Sequence, residues 1–158
     1  MLLMDDRQNK GLPPNLAGWP TLPDEHRFLH HGLKGLHQSV SALTSEIMAK
    51  ALPNSIFSRS SESHNQDKVS LGMSAAVQCH DMLEQMFNLT AMVMICLAQA
   101  LDLRKVTLAG EPAKGLYELI RKDVPFVSKD IALSQPIQTF VSELKRLSLE
   151  KGEKIIKV

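Results

Sequence analysis

Glu62, Asn65 and Gln66 stand close together in a polar run, Ser60-Ser-Glu-Ser-His-Asn-Gln-Asp-Lys-Val-Ser-Leu-Gly72, that leads into the most hydrophobic part of the chain. A carboxylate can exchange a proton with a reacting amine, and a carboxamide can both donate to and accept from a polar ligand. Such chemistry needs one element to aim all three the same way. Downstream, a stripe runs through Val69, Met73, Val77, His80, Leu83 and Phe87 at the three-and-four spacing of one helix face. Continued backwards, the same spacing lands on Gln66, Asn65 and Glu62. A helix starting near Glu62 therefore predicts a buried polar site at the head of a core face. The competing assignment is a helix cap, in which Ser60, Ser61, Glu62 or Asn65 meets the orphan amides of the first turn. On residue chemistry alone, the cap is the commoner use of such residues.

The elements that must position these groups read as helices throughout. Hydrophobic residues make up 44% of the 158 residues but aromatics only 4%, with eight Met and few β-branched runs, which favours helix packing over sheet. Residues 1–22 carry Gly11, Pro13, Pro14, Gly18 and Pro20 and read as an irregular, extended segment. From 23 to 158 the chain reads as one helical region. Thr21 as N-cap, Pro23 in the first turn and the acidic Asp24 and Glu25 predict a helix from about Pro23 to Leu52. Its seam is Leu33, Leu36, Val40, Leu43 and Ile47, and Pro53 stops it. Gly32 and Gly35 lie inside it and are assigned to close helix approach rather than a break.

A second helix is predicted from Glu62 or Asp67 to Leu103. Its stretch Leu89–Leu101 is apolar nearly all round, so other helices must surround it. At thirteen residues between Asn88 and Asp102, that stretch is too short for a membrane span. Gly110-Glu-Pro112 opens a short helix to about Lys122. Ser134 with Pro136 opens another, with Ile137, Phe140, Val141, Leu144 and Leu147 on one face and Gly152 as terminator. Helices of about 30 and 35–40 residues would measure roughly 45 and 55 Å. They exceed the diameter of roughly 40 Å of a compact globule this size. The expected architecture is an all-α, elongated bundle of two long and two or more short helices, with core surface left for other cover.

Charge and motifs exclude several functions. The net charge of +1 offers no electrostatic footprint for nucleic acid. Asp5 and Asp6 follow Met1-Leu-Leu-Met directly, so no signal peptide is expected. Cys79 and Cys96 lie about 25 Å apart along one predicted helix, cannot bridge each other, and suit a reducing, cytoplasmic setting. His26 and His30 have the spacing of a metal pair, among His26, His30, His31 and His37. No HExxH, cysteine or carboxylate completes a site, so solvated or partner-facing histidines are expected and no metal. There is no repeat, phosphate-cradling glycine loop, nucleophile elbow or CxxC pair.

The run Phe57-Ser-Arg-Ser-Ser-Glu-Ser-His-Asn-Gln-Asp-Lys-Val-Ser-Leu-Gly72 closely resembles the C-terminal signature of the aromatic amino acid ammonia-lyases and aminomutases. Asn9-Lys-Gly-Leu-Pro-Pro-Asn-Leu16 resembles a loop of the same family upstream. Ala98-Gln-Ala-Leu-Asp-Leu-Arg104 is similar to the end of the family's long helix, and Leu116 through Asp130, with Val124-Pro-Phe126, to its late helices. The resemblance implies loss of ammonia from an aromatic amino acid at a methylidene-imidazolone electrophile. It implies Glu62 near the substrate amine, Gln66 bonded around cofactor and substrate, and Asn65 fixing that network, with Arg59, His64 and Asp67 behind them. A helix N-terminus beneath these groups would add about +0.5 charge. It implies a homotetramer with shared active sites, or pairing with an N-terminal partner.

The family forms its electrophile from its own Ala-Ser-Gly, and no Ala-Ser-Gly occurs in these residues. The chain therefore resembles the C-terminal portion of a longer enzyme and is expected to be inactive alone. Histidine enzymes tend to carry Asn-Gln-Glu-Asp-His here, whereas this chain has His64-Asn-Gln-Asp-Lys68, which favours phenylalanine or tyrosine as substrate. Lys68-Val69 departs from plant phenylalanine enzymes, so a 2,3-aminomutase stays open. Two other classes also remain: a non-catalytic oligomerisation module derived from the lyase fold, and a ligand-binding bundle using the histidine helix. An Ala-Ser-Gly reading frame directly upstream would separate the enzyme from the module.

Overall fold

The computed structural model describes residues 2–5, 7–18 and 29–156, with side chains to Glu150. Four helices carry the fold: α1 (Lys34–Lys50), α2 (Gly72–Arg104), α3 (Glu111–Asp123) and α4 (Ser134–Ile156). No strand occurs among the described residues. At 33 residues, α2 is about 50 Å long. It packs against all three other helices and makes the axis of an all-α, elongated bundle.

The core gathers around the C-terminal half of α2. Ala91, Ile95, Cys96, Ala98 and Ala100 meet Leu33 and Leu36 at α1, Ile120 and Val124 at α3, and Ile137, Phe140 and Val141 of α4. The small side chains of α2 let its neighbours approach closely. Burial pushes the Cys96 thiol up to about 12, so it is a packing group. The predicted face of α4 is the observed one, and α3 starts and stops at Gly110 and Val124 as its residues predict.

Five sequence expectations are corrected. Residues 29–33 are not part of α1, which begins at Lys34. The expected start at Pro23, with Asp24, Glu25 and His26, lies outside the described residues. Gly32 adopts φ +60, and a Cβ there would come within 2.6 Å of Ala17 Cα, so it is a break and a close approach together. With 17 residues, α1 is shorter than α4, which runs through Gly152 to Ile156 instead of ending there. α2 begins at Gly72, ten residues after Glu62. Finally, the stripe expected to be core is open: Met73 is 81% exposed, Val77 56% and Leu83 50%.

By length and composition, α2 could cross a membrane, with a mean hydropathy of 1.6 over its most apolar window. The expectation concerns only the stretch Leu89–Leu101, and the core helix of a bundle meets the same measure of length and composition as α2 does. Its C-terminal half is the centre of the bundle.

The described part of the leading segment holds two 3-10 turns, Leu2–Met4 and Pro14–Leu16, and is tied down by α2. Arg104 Nη2 donates to the Asn9 carbonyl at 2.8 Å, and buried Asn9 turns its Nδ2 onto the Leu12 carbonyl at 2.9 Å. α2 itself ends in a left-handed Lys105. The amides of Lys105 and Val106 return to the carbonyls of Asp102 and Leu101.

Candidate functional site

Glu62, Asn65 and Gln66 do come together, on a turn and not on a helix. Backbone bonds run both ways between Ser61 and Gln66, Ser61 N–H to Gln66 O at 3.0 Å and the reverse at 3.3 Å. The four residues between them close a tight loop in which Asn65 N–H reaches Glu62 O at 3.0 Å. Glu62, Ser63 and His64 all sit in the left-handed region, at φ 52°, 54° and 69°. For non-glycine residues this costs about 1–2 kcal/mol each, so the surroundings must hold the conformation. Three such residues in a row rule out the right-handed helix expected here. They also remove the helix-terminus charge assumed beneath the site.

Side chains lace the turn. Asn65 Nδ2 points to Glu62 Oε2 at 3.5 Å, and Ser61 Oγ to Gln66 Oε1 at 3.4 Å, both long contacts. Ser60 Oγ and His64 Nδ1 lie 2.8 Å apart. Arg59 Nη1 folds back onto the carbonyls of Phe57 and Ser58 at 3.2 and 3.0 Å. Neither Ser60, Ser61, Glu62 nor Asn65 caps α2. Its N-cap position is Leu71, in the left-handed region at φ 55. These Ser, Asn and His side chains bond to other side chains of the run, and the Ser61–Gln66 backbone pair closes the turn.

Glu62, His64, Asn65, Gln66 and Asp67 are all exposed, so the expected buried site is an open one. No residue from 53 to 71 lines any of the five surface grooves described. The turn presents a carboxylate and two amides outward from the bundle. Chemically, it can accept a proton and can donate hydrogen bonds to a carbonyl. It cannot by itself enclose a substrate.

Similarity to known proteins extends along most of the chain. Residues 1–122 match the family model described as aromatic amino acid lyase. The chain belongs to the aromatic amino acid lyase family. The chain is 35% identical over 152 residues to the tyrosine ammonia-lyase of Cereibacter sphaeroides, covering 92% of itself and 27% of that protein. It is 32% identical to a histidine ammonia-lyase of Stigmatella aurantiaca, covering 78% of itself and 24% of that protein. The Pantoea agglomerans phenylalanine aminomutase structure superposes with a TM-score of 0.78 at 29% identity, over 89% of this chain and 26% of that one. The tyrosine aminomutase of Streptomyces globisporus gives 0.79 at 28%, over 91% and 26%. The chain thus spans about a quarter of the length of these relatives.

Several residues that organise the bundle carry no signal in spacing. Gln99 sits inside the stretch assigned as apolar all round, yet it is fully buried with three hydrogen bonds. A lone amide among apolar neighbours is the one hint of it. Asp102 gathers Tyr117 Oη and Arg121 Nη2, joining α2 to α3. Its carboxylate, taking that hydrogen bond, holds the Tyr117 phenol above the ordinary range. Asp130 takes the amides of His31 and Gly32 at 2.9 and 3.0 Å. Its amide donates to His30 Nδ1 at 3.2 Å, so His30 and His31 serve this junction. Among the described residues no group of three acidic, His or Cys side chains could hold a metal, and His26 lies outside them.

Proposed function

We propose that this chain forms the C-terminal region of a methylidene-imidazolone-dependent ammonia-lyase acting on an aromatic amino acid, of phenylalanine or tyrosine type over histidine. The observation that carries the proposal is the turn gathering Glu62, Asn65 and Gln66 on an outward edge, in a chain of the aromatic amino acid lyase family. A 2,3-aminomutase is the second reading, supported by the two aminomutase structures.

The donor set suits the imidazolone. Gln66 Oε1 is engaged by Ser61, which leaves its Nε2 to donate to a ring carbonyl, and Asn65 Nδ2 is held only by the long contact to Glu62. When bound, that group supplies the electrophile that activates the amine of the substrate. Glu62 would accept the proton of the substrate ammonium, so that the nitrogen lone pair is free. Gln66 would orient substrate and cofactor, and Asn65 would steady Glu62. Arg59, His64 and Asp67 would hold the turn, Arg59 through the Phe57 and Ser58 carbonyls and His64 through Ser60. As a neutral amide, Gln66 cannot compensate a cationic imidazole. A charge-assisted bond is roughly twice as strong as a neutral one, which disfavours histidine.

Because Ala-Ser-Gly is absent from the 158 residues, the electrophile would come from sequence outside them. Open flanks at Met73, Val77 and Leu83 favour cover by further chain, either an N-terminal partner or copies in a homotetramer. Unpaired Cys79 and Cys96 accord with the cytoplasm. The test assays ammonia release and imidazolone absorbance for the chain alone and for the chain joined to a polypeptide carrying Ala-Ser-Gly. The chain alone should release none. The assembly should act on phenylalanine or tyrosine, and a higher kcat/KM for histidine would overturn the substrate assignment.

A further inference from the structure

Between Ala51 and Thr90 only Ser58 is buried, at 7% exposed, among residues that are exposed or half-buried. It stands at one foot of the loop that carries Glu62, Asn65 and Gln66, and Val69 stands at the other. The Ser58 hydroxyl accepts from the Val69 amide at 2.9 Å and donates to the Val69 carbonyl at 2.8 Å. One hydroxyl thereby satisfies both backbone groups of the residue opposite, donating and accepting at a single atom. Between these feet and the Ser61–Gln66 pair, no hydrogen bond described here crosses the loop from Arg59 or Ser60 to Asp67 or Lys68. The turn above contains three left-handed residues in succession and would relax if its base opened.

We infer that Ser58 is a positioning residue for the reaction proposed above. By clamping Val69, its hydroxyl keeps Ser61 in register with Gln66 and so holds the Glu62 carboxylate and the Gln66 amide on one edge. It touches neither substrate nor cofactor and acts only through the turn. The inference rests on the lyase reading for its catalytic consequence, but the clamp itself is independent of it.

The experiment has two arms, each with Ser58→Ala and Ser58→Thr. In the full chain, amide exchange at Ser61 and Gln66 should rise by about tenfold or more in Ser58→Ala, which removes both hydrogen bonds to Val69. Exchange within α2 at Ile95 and Ala98 should not change, and Ser58→Thr, which keeps the hydroxyl, should match the parent. In the assembly with a polypeptide carrying Ala-Ser-Gly, Ser58→Ala should lower kcat about tenfold with KM nearly unchanged, and Ser58→Thr should restore it. Unchanged exchange at Gln66 would overturn the clamp. Parent-like kcat in Ser58→Ala, or equal losses of kcat and melting temperature in both variants, would overturn the positioning role. If the parent assembly releases no ammonia from any aromatic amino acid, the lyase reading and with it the catalytic role of Ser58 fall. The exchange arm then still decides whether the clamp exists.

Discussion

Gln99 and Val127 exchange two hydrogen bonds in the centre of the bundle, Gln99 Nε2 to the Val127 carbonyl at 2.9 Å and the Val127 amide to Gln99 Oε1 at 3.0 Å. The same Nε2 also donates to the Leu16 carbonyl at 3.1 Å. One amide on α2 therefore satisfies the backbone of two irregular segments that would otherwise be buried with unpaired groups. Gly18 lets those segments meet: a Cβ there would fall 2.6 Å from the Val127 carbonyl oxygen.

Gln99→Ala should destabilise the chain by about 2–4 kcal/mol, because it strands two carbonyls and an amide and leaves a void. Urea unfolding measures it. Gln99→Glu should cost as much, since a carboxylate cannot donate to either carbonyl.

Asp130 links the α3–α4 connection to the head of α1. Burial alone would raise its pKa, but the His31 and Gly32 amides and the His31 side chain outweigh this and hold the carboxyl below the ordinary 3.8. A depressed folded pKa adds stability above the unfolded value and loses it as pH falls through the folded one. The Asp130 contribution should thus be complete at neutral pH and disappear below about pH 4. Melting temperatures of the parent and Asp130→Asn should converge there, with the variant lower at neutral pH by the equivalent of about 1 kcal/mol.

Gln66→Glu should move selectivity toward histidine. In the assembly able to form the imidazolone, the ratio of kcat/KM for histidine over tyrosine should rise by about tenfold, the worth of one charge-assisted bond. An unchanged ratio would place selectivity elsewhere.

Open apolar side chains on the N-terminal half of α2, at Met73, Val77, Leu83 and Met86, should drive self-association of the chain alone. Sedimentation at micromolar concentration should give a dimer or larger species. Val77→Asp should shift it toward monomer, whereas a monodisperse parent monomer would count against the expectation.

What the sequence determined by itself is whatever repeats locally. Helical spacing predicts the all-α class, the seam of α1 at Leu36 and Val40, the limits of α3 and the face of α4. The signature Phe57–Gly72 points to the family, and the Gly110 and Pro112 signals lie next to the helix they open. Tertiary structure decided the rest. The stripe Val69–Phe87 has a helix period, yet only its Phe87 end packs on the core while Met73, Val77 and Leu83 stay open, because periodicity reports one-sidedness and cannot say what covers the side. Its extension back to Glu62 failed because Ser58 bonds Val69 across eleven positions and left-handed residues intervene. The start of α1 depends on Asp130, 98 positions from Gly32, and the burial of Gln99 on Leu16, 83 positions away. Hydrogen bonds at such separations follow from how the helices pack, and neither residue type nor spacing encodes them.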